Sequence, residues 1–180
     1  MNFQNHALIL AMIEQLNRWG GSSGKTHVQK GLFLLQAVRP RSIPFLYVLY
    51  KHGPYSFEVE HELEEMKSYG AITSRPVLDY GFAFAPGLMA KFAHERSRIS
   101  DFQMRKIEKV CQFISQKSAA ELERISTAAW IDRREGIKRK GPNVARLIVL
   151  KPHVPPDLAE KAYDQWEFFR RHIRNRRLPS

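Results

Sequence analysis

Apolar positions recur along this chain at helical spacing over most of its length and crowd into short runs in two places. Phe3, Ala7, Leu10, Met12, Ile13 and Leu16 predict a first helix over residues 2–18, too densely apolar for a thin stripe and therefore well buried. Residues 20–24 are a loop by composition. Thr26-His27-Val28-Gln29 has the form of a capping box and opens a second helix that buries Val28, Leu32, Phe33 and Leu35 and stops at Pro40 and Pro44. Residues 45–50, aromatic and β-branched, predict a short buried strand, and Gly53-Pro54 breaks the chain after it. Ser56 is the expected N-cap of a third helix, with Glu58 and Glu60 in its first turn, Val59, Leu63 and Met66 on its apolar face and Gly70 as its left-handed stop. Residues 71–74 and 82–85 flank a turn at residues 79–81 and predict a hairpin.

The second half reads as helices. Pro86 suits the first turn of a helix reaching about His94, with Leu88, Phe92 and Met89 as its inward candidates. Ser100-Asp101-Phe102-Gln103 and Ser118-Ala119-Ala120-Glu121 are further capping boxes. The first precedes a stripe of Met104, Ile107, Cys111 and Ile114, the second a stripe of Leu122, Ile125 and Ala129. Residues 144–150 predict a turn or two of helix against the core. Pro152, Pro155 and Pro156 form a rigid connector, and a last helix places Leu158, Ala162, Tyr163, Trp166, Phe169 and Ile173 on one broad side. The fold class expected is mainly α with a small β-hairpin (α+β). Residues 26–85 outline a winged-helix-like core, to which further C-terminal helices are added. Residues 1–154 form the domain, and residues 155–180 form a C-terminal helix with a basic tail packed on it.

Charge changes the picture more than composition does. The 180 residues carry a formal net charge of +11, distributed as +3 over residues 1–100 and +8 over residues 101–180. Such an excess points to a polyanion or an acidic protein surface, against the plainer alternative of a basic, soluble surface with no dedicated partner. One cysteine rules out an internal disulfide framework and suits a reducing compartment, so a cytoplasmic protein is expected. No secretory signal and no membrane-length apolar run is legible, and no membrane contact is expected.

Catalytic chemistry is hard to find. Gly24-Lys25-Thr26 invites a phosphate-loop reading, but the glycine such a loop needs five residues earlier is Trp19, and a helix precedes it where a strand is required. Glu58, Glu60, Glu62, Glu64 and Glu65 interleave with apolar positions and read as a solvated face. A metal site, acid–base work or an acidic docking surface are the alternatives. His27, His52, His61 and His153 show no metal-ligand spacing, and Cys111 on an apolar stripe reads as packing. No metal, no cofactor and no enzyme is expected. The basic residues are concentrated: Arg133, Arg134, Lys138, Arg139 and Lys140 fall within one stretch, and Arg170, Arg171, Arg174, Arg176 and Arg177 within another. Bidentate arginines suit phosphate or carboxylate, although a solvated helix end is the plainer account of the second group.

Gln29-Lys30-Gly31-Leu32-Phe33-Leu34-Leu35, followed by Tyr50-Lys51-His52-Gly53-Pro54-Tyr55-Ser56, resembles the Panacea domain and its YwgA-like relatives. Those carry a Leu-Gln-Lys helix and a Tyr-Gly-Pro-Tyr-Ser turn. Ser118 to Glu123 and Leu150-Lys151-Pro152-His153 fit in the same order, so the resemblance spans residues 26–154. Val28 in place of leucine, Gly31 inside the helix and His52 in place of an aromatic depart from the pattern. The resemblance implies a non-enzymatic, antitoxin-like regulator that clamps a partner protein, often a co-encoded toxin. Its contact surface would be His52, Gly53, Pro54, Tyr55 and Ser56 with the helix that follows. The alternative is a winged-helix nucleic-acid binder. Residues 57–69 would then enter the major groove, yet they carry five glutamates and Lys67 as their one lysine or arginine. Nucleic acid is therefore expected at the two basic stretches, held through its backbone.

Overall fold

The computed structural model describes residues 2–39, 43–77 and 81–174, with Arg174 described in its backbone alone. Along these residues the chain runs α1 (Phe3–Arg18), α2 (Lys25–Val38), β1 (Val48–Tyr50), β2 (Gly53–Tyr55), α3 (Phe57–Ser68), β3 (Ile72–Val77) and β4 (Gly81–Pro86). It continues with α4 (Ala90–Arg96), α5 (Asp101–Ile114), α6 (Ala119–Arg134), α7 (Lys140–Leu150) and α8 (Pro156–Arg174). The result is a mainly helical α+β protein in which two separate antiparallel hairpins accompany the helices.

α1 and α2 form the centre. Residues 5–13 of α1 are buried without interruption, as their apolar density predicts. α2 lies against α1 and α5, and Gly31 is what allows it to come so close. A Cβ at that position would stand 2.8 Å from Met12 Sδ and 3.0 Å from Ile114 Cδ1. The departure from the resemblance pattern is thus a packing requirement. The start of α2 differs from expectation, because Gly24 occupies the N-cap and makes no side-chain cap. Thr26 lies inside the helix, and Gln29 is turned inward to a longer-range task described below. Pro40, the expected stop, and Asp79, in the expected turn, lie outside the described residues.

Two capping boxes form as read. Ser100 with Gln103 opens α5, and Ser118 with Glu121 opens α6. Ser56 caps α3, its hydroxyl accepting from the Val59 amide, and Gly70 ends that helix at φ +78°. The helix expected from Pro86 starts later. Pro86 pairs with Ile72 at the end of β4, and α4 buries Ala90 and Ala93 while Leu88 stands almost fully exposed. α7 is longer than a turn or two and takes Lys140 into its first turn. α8 buries Ala162, Tyr163, Trp166, Phe169 and Ile173 in the same continuous core that contains α1 and α2. Trp166 Nε1 donates to Asp132 of α6 at 2.7 Å, a buried bond that ties the last helix to the body.

Candidate partner-binding surface

Residues 45–50 alternate strictly in their burial at first: Phe45 and Tyr47 point into the core, while Leu46 and Val48 point out. That is the period of an extended chain with one covered face. The outward face is apolar. Leu46 is 72% exposed, Val48 46% and Tyr50 58%, and Phe57, at the first position of α3, is 59% exposed beside them. Half-buried Tyr55 fills the gap, with ring centroids 5.9 Å from Tyr50 and 5.2 Å from Phe57, and Tyr50 lies 6.0 Å from Phe57. The buried strand predicted for residues 45–50 is therefore half right. β1 covers Val48–Tyr50 only, and its outer face is open because it pairs with β2 alone.

The register Val48↔Tyr55, Leu49↔Pro54 and Tyr50↔Gly53 makes a hairpin where the sequence reading has a strand and a break. A set of buried polar groups holds it. Gln29 Nε2 donates to the Ser56 carbonyl at 2.8 Å, and the Ser56 amide donates back to Gln29 Oε1 at 3.0 Å. This reciprocal pair explains why Gln29 does not serve the start of α2. Lys30 Nζ donates to the Pro54 carbonyl at 2.7 Å. Burial pushes the Lys30 ammonium down to about 8, partly offset by Glu123 and reinforced by Lys151. Gly53 sits at φ +84°, and Glu123, Ser126 and Thr127 of α6 crowd it as well, so that a Cβ there would lie 3.2 Å from both hydroxyls. Glu123 in turn pairs with buried Lys151 at 2.7 Å and with exposed His52 at 3.3 Å, while Lys151 also donates to the Lys51 carbonyl. Burial alone would raise the Glu123 carboxyl, but the hydrogen bonds and attraction of Lys151 first and His52 second hold it below its ordinary value.

The five residues expected to contact a partner thus divide. Gly53, Pro54 and Ser56 are buried against α2 and α6 and build the hairpin from behind. His52 is exposed, and Tyr55 presents part of its ring while its hydroxyl donates to Glu60. The exposed apolar residues around them, Leu46, Val48, Tyr50 and Phe57, were absent from the expected set. The only signal was the unbroken apolar and aromatic run of residues 45–50, which a strand covered on both faces would equally show.

The basic residues are partly committed within the protein. Arg133 Nε donates to the Ala37 carbonyl at 2.6 Å, and Lys140 reaches Asp164 at 2.8 Å and Glu160 at 3.4 Å. Arg170 pairs with Glu167 and lies 3.5 Å from Asp132, and Arg171 pairs with Glu167 at 3.1 Å. Arg134 covers the Trp130 ring at 5.6 Å, and Lys138 and Arg139 are exposed with no ion pair among the described residues. The side chain of Arg174 and all of Arg176 and Arg177 lie outside the described residues.

The glutamates of α3 do not form one solvated face. Glu58 and Glu64 are exposed, but Glu62 is buried against α1, where His6 and Glu65 meet it. Cys111 is buried, its Sγ 3.3 Å from Met12 Sδ, and burial pushes its thiol far above the ordinary range, which suits packing and not nucleophilic attack. No helix among the described residues is long and apolar enough to cross a membrane.

Fold and surface together define the class: a mainly helical α+β protein with an exposed aromatic hairpin held on a buried polar clamp. No family model matches the chain, and no curated protein is significantly similar to it.

Proposed function

We propose that the protein is a non-enzymatic binding protein that captures an acidic partner protein, in the manner of Panacea-type antitoxins, on the surface formed by Leu46, Val48, Tyr50, Tyr55 and Phe57. The observation that carries this reading is the apolar outward face of residues 46–50, where an ordinary strand edge carries charged or polar residues. Clustered exposed aromatics with a rigid support are what interface centres are made of, because their large area comes with few rotamers to freeze. The free edge of β1 adds backbone donors and acceptors for an extended segment of the partner. The net charge of +11 favours a partner of opposite sign and speeds its encounter. A co-encoded toxin meets this description and is the first partner to try. Co-expression with the product of the neighbouring gene and affinity capture on the tagged chain is the test. Capture lost in Tyr50→Ser with Phe57→Ser supports the reading, and full recovery removes the patch from the interface.

A second reading uses the order α2, α3, β3–β4, which is that of a winged helix. Exposed Arg134, Lys138 and Arg139 favour contact with a phosphate backbone beside Trp130, while Glu58 and Glu64 on the outer side of α3 oppose its entry into a groove. Retention on DNA that falls steeply with salt and is lost when those three residues become serine would support it.

A further inference from the structure

α1 and α3 face each other across a small cluster of polar side chains, Asn5 and His6 on one helix and Glu62 and Glu65 on the other. His6 of α1 is fully buried, and its Nε2 lies 2.6 Å from Glu62 Oε2 and 3.2 Å from Glu65 Oε2. The two glutamates are three residues apart on α3, so both carboxylates project from the same side of the helix. Neither His6 Nε2 nor Glu62 Oε2 forms a hydrogen bond. The two atoms are close, but they are not aligned to share a proton. A buried nitrogen and a buried carboxylate oxygen without a hydrogen bond each cost free energy unless a charge pairs with them, and a cation held between them is one way to supply it.

The far side of each group is held in place. His6 Nδ1 is 2.9 Å from the Tyr69 hydroxyl, and the His6 and Tyr69 rings stack at 5.5 Å. Asn5 Nδ2 donates to Glu62 Oε1 at 2.7 Å. An imidazole and a carboxylate each fixed from behind by a hydrogen bond are the arrangement that orients metal ligands. The three ligand atoms of His6, Glu62 and Glu65 all lie within 4.8 Å of one another.

We infer that His6, Glu62 and Glu65 bind one divalent transition-metal ion of the zinc class. One imidazole nitrogen with two carboxylate oxygens is a donor set for zinc and its neighbours in the first transition row, whereas calcium and magnesium call for more oxygens and disfavour imidazole. Three protein ligands leave a further position for water, and Glu65, the least buried of the three, marks the side from which the ion enters. The ion joins α1 to α3, the helix whose first residue is Phe57, and neutralises two carboxylates at the edge of the core. This site is separate from the partner-binding surface and stands without it.

The full chain, stripped with a chelator and dialysed, is titrated with zinc chloride by calorimetry, and its thermal unfolding is followed with and without zinc. One equivalent is expected to bind and to raise the unfolding midpoint. Glu65→Gln is expected to weaken zinc binding by about 100-fold and Tyr69→Phe by about 10-fold with unchanged stoichiometry, the range over which ligand support acts. His61→Asn, on the exposed side of the same helix, should bind zinc as the wild type does. Cobalt added to the wild-type chain should give the visible absorption of a four- or five-coordinate site, a readout that needs no variant to fold. No stoichiometric zinc, equal binding by Glu65→Gln and wild type, or the spectrum of hydrated cobalt would overturn the inference and leave His6 packed between two carboxylates without a metal.

Discussion

The chain from Leu46 through β1 turns Leu46, Val48 and Tyr50 to solvent, whereas β3 turns Thr73, Ser74, Arg75 and Pro76 there. Both strands belong to two-stranded antiparallel sheets, and side chains from elsewhere in the chain anchor both. The second hairpin is blunted in the usual way, with a proline opposite Phe82 and polar residues along the edge. The first is blunted at one point, where the Leu46 amide donates to Glu58 at 2.9 Å, and its outward side chains stay apolar. The anchors differ too. Neutral groups hold the second hairpin: Ser23 Oγ and Asn17 Nδ2 donate to the Phe84 carbonyl at 2.7 and 3.0 Å. Ionisable groups, Lys30, Glu123 and Lys151, hold the first. The first hairpin thus exposes aromatic rings on a buried base of ionisable groups, while the second exposes mainly polar residues on a neutral base.

The largest expected effect breaks this contrast at the surface. Tyr50→Ser with Phe57→Ser should lower affinity for the captured partner about 1,000-fold, about 4 kcal/mol for two interface aromatics together, with circular dichroism and the unfolding midpoint little changed. Phe82→Ser removes the exposed ring of the other hairpin and should leave affinity unchanged. An equal loss from both would erase the distinction.

Next in size is the pH dependence of the charged anchor. The unfolded chain takes up a proton on Lys30 as pH falls through 10.5, while the folded protein holds it neutral down to about 8 because burial disfavours the charge. Between those values the unfolded state binds more protons, so stability rises with pH, by up to about 3 kcal/mol across the window. The difference in urea unfolding free energy between wild type and Lys30→Met should therefore grow from pH 8 to 10.5. Parallel curves would show that Lys30 is not desolvated. The second hairpin's anchor has no ionisable group, so Ser23→Ala should shift stability by a constant amount over the same range.

Glycine substitutions give a smaller contrast. Gly53 and Gly81 have φ of +84° and +77°, but only Gly53 meets neighbouring atoms where a Cβ would stand. Gly81→Ala should cost about 1 kcal/mol from backbone conformation alone, and Gly53→Ala about 2 to 3 kcal/mol because α6 must also give way. Urea midpoints measure both. The Ser23→Ala shift itself, about 1 kcal/mol for one buried hydrogen bond, is the smallest of these effects.

Much of the scaffold was legible because its signals are local. Helical periodicity placed α1, α3, α5, α6 and α8, and the Ser100–Gln103 and Ser118–Glu121 boxes form within four residues of chain. Thr26 misled because a capping box read from sequence assumes that glutamine has no better partner, and Gln29 finds one in Ser56 across the fold. Pro86 misled because a residue suited to a helix start also suits the end of an edge strand. Of the turn residues named from the sequence, Gly53, Pro54 and Ser56 proved buried and His52 exposed, since their burial depends on α6, which is far along the chain.

The sequence by itself determined the helical class, the surplus of positive charge and most helix boundaries, because propensity, caps and periodicity act over a few residues. Only the tertiary structure decided which apolar residues stayed outside, that the buried Lys30 supports the first hairpin, and that His6 meets Glu62 and Glu65. Those outcomes depend on contacts between segments far apart in the chain, and such contacts leave no periodic trace in either segment alone.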